Sequence, residues 1–265
     1  ALRARFDELR PENSQGKAYV EVIEVRFLMD DHRWGEAIRR LEKARALGAA
    51  SSAIKLSADL ALAKCHERLG EFDLQRTASL RGLQDNNTST EARLAVARAL
   101  GACGQVQSAL AQYRRVADAI GKDSIANRPD VWVPLLRLEY AALARGWPDR
   151  RDREAIDALV ASLSSAVAAE HAPLVRSESL AGDGKIDEAI AVLRDAAATA
   201  PEDAGLVAAR ISMLARAAKG DDVSKMVAGL SEALQDSADV LAAETEAARI
   251  LPAAAGDELV ELVFQ

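Results

Sequence analysis

The chain has 265 residues, a formal net charge of −7, 49% hydrophobic residues and only 4% aromatic ones. An acidic chain of this kind lacks the broad cationic surface that binding to nucleic-acid phosphates requires, and no apolar run approaches the roughly 20 residues of a membrane-spanning helix. Its Ala, Leu, Arg and Glu favour helix over strand, its Arg and Ala bias suggests a bacterial sequence, and its length suits one or two globular domains or a single array of stacked repeats.

In chain order, residues 6–10 followed by Pro11-Glu12-Asn13 read as the end of a helical repeat. Trp34-Gly35-Glu36-Ala37 opens a helix in which Ala37, Leu41 and Ala44 recur at spacings of four and three, placing them on one face. Leu69-Gly70-Glu71-Phe72 is a second turn of the same kind, and Val106-Gln107-Ser108-Ala109-Leu110 enters a third helix. Residues 121–130 and 146–153 read as the most exposed loops, the second containing Trp147 and the insertion Pro148-Asp149-Arg150-Arg151-Asp152-Arg153, after which Ala155, Leu159 and Leu163 resume the stripe. The clearest unit follows: Gly182 and Gly184 form a tight turn, Ile186, Ala189, Ile190, Leu193 and Ala196 line one helix face, and Pro201 stops the helix. Residues 240–251 and 257–264 read as two more helices, the second still apolar where the sequence ends, so the chain is expected to be a piece of a longer protein. The absence of a methionine at Ala1 agrees with a removed leader or a larger parent.

The residues that enter the second helix of each pair are Trp34, Phe72, Val106 and Ile186, at gaps of 38, 34 and 80. A period near 34 with a small-Gly-apolar turn, then Ala-x-x-x-Leu-x-x-Ala, then Pro, resembles the tetratricopeptide repeat. The resemblance implies an all-α solenoid, a right-handed superhelix of antiparallel helix pairs, with units at 18–51, 56–89, 90–123, 131–169, 170–203 and 204–237 and partial helices at 1–13 and 238–265. The chain departs from the family in its second unit, where Gln75, Ser79 and Gly82 replace Ala, a bulky residue and Ala, and in the insertion of its fourth.

Candidate chemistry is sparse. His66-Glu67 begins like a zinc-protease helix, but Gly70 stands where the second His is needed. Gly182-Asp183-Gly184-Lys185 lacks the upstream Gly and the Ser or Thr of a phosphate loop, Ser52-Ala53-Ile54-Lys55 lacks the companion motifs of serine hydrolases, and Asp183 with Asp187 is too little for calcium. Cys65 and Cys103 are too few for a disulfide framework or zinc site and read as buried thiols. No catalytic residue, metal or cofactor is expected.

The resemblance assigns binding to a concave groove formed by the first helix of each unit. Its positions are Tyr19, Val22, Arg26 and Met29, then Leu60, Lys64 and Glu67, then Glu91, Leu94 and Arg98. The middle position is basic in the first three units (Arg26, Lys64, Arg98) and becomes Glu139, Glu178 and Ser212 in the last three. A cationic ladder of this kind holds an acidic peptide through charge-assisted hydrogen bonds, with Tyr19, Leu60 and Leu94 as apolar contacts. Trp132 is a further candidate hot spot, while Trp147 reads as a packing residue. The expected function is a protein-interaction scaffold. The alternatives are a regulatory or targeting segment of a larger enzyme or export machine, and self-association through the terminal helices.

Overall fold

The computed structural model describes residues 12–235 and 237–253, together with 255, 256 and 259. The helix ends expected over 1–13 and 257–264 therefore lie outside the described residues, save Glu12, Asn13 and Leu259. The described chain is all-α and divides into two compact units, residues 1–122 and 123–265.

The first unit contains α1 (Ser14–Asp30), α2 (Trp34–Leu47), α3 (Ser52–Arg68), α4 (Phe72–Asp85), α5 (Thr90–Ala102) and α6 (Val106–Ile120). Each helix packs on the next, and α3 also touches α1 and α5, which is the nearest-neighbour pattern of a solenoid. First helices start on side-chain caps: Asn13 accepts from the Gly16 N–H at 2.6 Å, Ser51 from Ile54 and Ser89 from Ala92. Second helices have no such cap. They emerge from a turn in which one residue takes a left-handed conformation and the next N–H reaches back to the preceding helix. The bonds are Arg33 to the Leu28 carbonyl (2.8 Å), Glu71 to His66 (2.9 Å) and Gln105 to Leu100 (2.8 Å), after His32, Gly70 and Gly104 respectively. The core is aliphatic and small: Val25, Leu28, Ala37, Leu41, Ala58 and Leu62 interlock, and full burial of Ala37 and Ala58 lets backbones approach closely.

The unusual second pair has a physical cause. Asp59 of α3 is fully buried and ion-paired to Arg45 of α2 (3.0 Å) and Arg81 of α4 (2.9 Å). Gly82 lies against this charged layer, where a Cβ would meet Asp59 at 3.4 Å, an ordinary van der Waals contact. Buried Ser79 satisfies itself by donating to the Gln75 carbonyl. Helix α4 is therefore regular over fourteen residues despite lacking an apolar stripe.

A four-residue helix, α7 (Lys122–Ile125), precedes α8 (Pro129–Arg145). Ile125 and Ala126 are buried, so 121–130 is not the exposed loop its composition suggests, whereas 146–153 is largely exposed. The second unit continues with α9 (Arg153–Ala166), α10 (Ala172–Gly182), α11 (Ile186–Thr199), α12 (Ala204–Arg216), α13 (Gly220–Ala228), α14 (Glu232–Gln235) and α15 (Ala238–Ile250). The same turn returns at Gly146, Gly184 and Ala218, with Trp147 bonding to Ala142, Lys185 to Leu180 and Lys219 to Leu214. Only one of the two glycines at 182 and 184 serves that turn. Gly184 has φ +78°, whereas Gly182 ends α10 and leaves space for Tyr140, whose ring would lie 2.4 Å from a Cβ.

The turn at Gly146 also fixes the register of the fourth unit one residue later than the sequence reading. Ile156 and Leu163, rather than Ala155 and Leu159, are the buried residues of α9. The insertion leaves α9 loosely attached, and α8 packs more extensively on α10 than on α9. At the far end, α15 covers α12 more extensively than α13 does, closing a core of Val207, Ile211, Leu214, Val223, Val240 and Ala247.

Candidate functional site

Counting back six residues from each left-handed turn residue gives one equivalent position on every first helix: Arg26 before His32, Lys64 before Gly70, Arg98 before Gly104. All three side chains are exposed. Among the described residues neither Arg26 nor Lys64 has an ion-pair partner. Helix α3 contacts both α1 and α5, so the three helices that carry these residues are neighbours in this unit.

The same count in the second unit gives Tyr140, Glu178 and Ser212, all buried at 9% exposure or less. Tyr140 replaces the Glu139 of the sequence register because the turn lies at Gly146. The Tyr140 hydroxyl lies 3.3 Å from the Ser179 hydroxyl. Glu178 sits between Arg137 of α8 (2.6 Å) and Arg216 of α12 (3.0 Å), and Arg137 also reaches the Ser212 hydroxyl at 3.4 Å. Burial raises the affinity of the Glu178 carboxyl for a proton, but the two guanidinium groups outweigh it and hold the carboxyl below its ordinary pKa. Glu139 is also fully buried and paired with Arg151. At this position the second unit buries its side chains, Glu178 among them in an ion pair, whereas the first presents exposed cations.

The other candidate positions divide. Tyr19 is 47% exposed and Leu60 half-buried, so both accompany the cations. Leu94 and Trp132 are interior, at 2% and 0% exposure. For Trp132 the reason is the register shift: counted from its turn it matches fully buried Ala18, not Tyr19. Trp147 is half-buried beneath the Arg145 guanidinium, 5.7 Å from its ring.

The residues of the failed motifs have structural partners. His66 Nδ1 lies 2.6 Å from Glu71, Lys55 pairs with Asp85 at 2.7 Å, and Asp183 pairs with Arg153 and Asp187 with Lys219, both at 2.6 Å. Burial pushes the Cys65 thiol up to about 11, which suppresses the thiolate. Cys103 is half-buried and donates to the Phe72 carbonyl. Among the described residues no group of His, Cys, Asp and Glu is arranged to hold a metal, and no helix is long and apolar enough to cross a membrane. The ion pairs Arg45–Asp59–Arg81 and Arg137–Glu178–Arg216 were not foreseen; acidic residues at otherwise apolar helix positions are their only signature in the sequence.

A crystal structure of a tetratricopeptide repeat protein from Parabacteroides merdae matches 94% of this chain and 100% of its own, with a TM-score of 0.51 and 12% identity. This chain has the tetratricopeptide-repeat fold. The C-terminal part of a TPR repeat-containing protein from Cytophaga hutchinsonii is similar over 92% of this chain and 94% of its own, at 15% identity and a TM-score of 0.46. No family model and no curated protein matches the sequence. At such identities the tetratricopeptide likeness is one of fold alone: consecutive helix pairs.

Proposed function

We propose that the chain is a protein-interaction module that holds an acidic segment of a partner protein along the first-helix face of its N-terminal unit. The fold is in general one of protein-interaction scaffolds, and one observation supports the choice of face. The residues six positions before the turn are exposed cations on α1, α3 and α5, while their counterparts Tyr140, Glu178 and Ser212 are buried. A carboxylate-bearing segment laid across the three helices meets one cation per repeat, and Tyr19 and Leu60 supply apolar contact beside them. Because the helices are already packed, binding orders only the ligand, which keeps its entropic cost low.

The test uses the chain as bait in a native extract beside the variant R26E/K64E/R98E, with circular dichroism to verify that both are folded. The captured partner's acidic segment, made as a labelled peptide, is expected to bind the variant at least tenfold more weakly and to lose affinity with added salt. Equal capture and equal affinity would contradict the assignment.

A further inference from the structure

The second unit contains an open cleft of about 850 Å³ between α11 and α13, floored by α12. Its origin lies in the length of α13, which has nine residues where α11 has fourteen, and in the larger share of α12 that α15 covers. The lining includes Ile190, Val207, Met226 and Leu230, the Asp222 carboxylate and, besides Arg194 and Lys219, two further cations, Arg210 of α12 and Lys225 of α13. Neither cation has a carboxylate partner among the described residues. Arg210 is half-buried, and its Nε–H is shielded from water with no acceptor. The neighbouring cations are neutralised within the chain, Lys219 by Asp187 at 2.6 Å and Arg194 by Asp195 at 3.0 Å. Glu202 accepts from the Ser231 hydroxyl.

A partly desolvated guanidinium without an anion is unfavourable, and the planar group that complements it best is a carboxylate. Along α11 the lining extends from Ile190 to Ala198, about 12 Å at the helical rise, which roughly four extended residues would span. We infer that this cleft is a second docking site, one that takes a short extended segment of a partner protein with a carboxylate on Arg210 and an apolar side chain against Val207 and Met226. The site lies on a different unit from the Arg26 face and does not depend on it.

The test is a titration of the isotope-labelled chain with acetyl-Glu-Leu-Glu-Leu-Glu-amide, followed by nuclear magnetic resonance. The Arg210 Nε–H signal and the methyls of Ile190, Val207, Met226 and Leu230 are expected to shift together. R210Q/K225Q should weaken binding at least fivefold, and R26E/K64E/R98E should leave these shifts unchanged, so the two sites succeed or fail separately. If Arg210→Gln disturbs the fold, the exposed substitution Lys225→Gln alone is expected to weaken the same titration at least twofold. The proposal is overturned by absent shifts at these groups, by equal shifts with acetyl-Lys-Leu-Lys-Leu-Lys-amide or with acetate alone, or by undiminished binding in a folded cation variant.

Discussion

Ala218 adopts φ +55° at the turn position that Gly70, Gly104 and Gly184 occupy elsewhere in the chain. For an L-residue that conformation costs about 1 kcal/mol, partly offset by the greater unfolded-state freedom of glycine. Ala218→Gly is therefore expected to stabilise the protein by up to about 1 kcal/mol in urea denaturation. Gly184→Ala should destabilise it by about 1 kcal/mol, the backbone conformation being the whole cost because nothing lies within 4 Å of the added Cβ. His32 is the other exception at φ +55°, and there the edge-on contact with Trp34 at 5.6 Å is a compensating interaction that glycine would remove. A second residue-scale expectation concerns Glu244 of α15, which burial pushes up to about 7 from an ordinary 4.5. The folded state then holds the proton more tightly than the unfolded state. Its contribution is fully present below pH 4.5 and is lost as pH rises toward 7, by about 3 kcal/mol at most. Glu244→Gln should flatten that part of the stability profile, and denaturation at pH 5 and pH 8 would reveal it.

At the scale of elements, α8, α10 and α12 are tied by Arg137, Glu178 and Arg216. Removing Arg137 leaves a buried carboxylate with one guanidinium, so Arg137→Met is expected to destabilise by about 2–4 kcal/mol near neutral pH. The depressed carboxyl pKa means this contribution exists above about pH 4.5 and disappears as pH falls through the folded value, so the difference from wild type should shrink at pH 3. A difference that stayed constant with pH would assign the loss to packing instead. Turns and helix pairs were legible in the sequence because Gly70, Gly104 and Gly184 mark left-handed positions and Ala37, Leu41 and Ala44 keep the helical period. What could not be read was set by tertiary partners. Gln75, Ser79 and Gly82 look like a failing helix until Ser79 is bonded to the Gln75 carbonyl and Asp59 is placed beside Arg81 and Gly82. The insertion at 148–153 hid the fourth unit's register, and with it the burial of Trp132.

On the scale of the whole chain, two compact units share one repeated construction but treat the equivalent face differently. In the second, Tyr140, Glu178 and Ser212 are buried; in the first, Arg26, Lys64 and Arg98 are exposed. The acidic residues behind the net charge of −7 are concentrated in the second unit, while Lys and Arg outnumber Asp and Glu in the first, which gives an acidic ligand a preferred place to settle. The most direct measurement is the affinity of the captured partner's acidic peptide for the wild-type chain and for R26E/K64E/R98E, both verified as folded. An affinity at least tenfold weaker for the variant, with a reduced salt dependence, is the predicted result; the same affinity and the same salt dependence in both proteins would contradict the account.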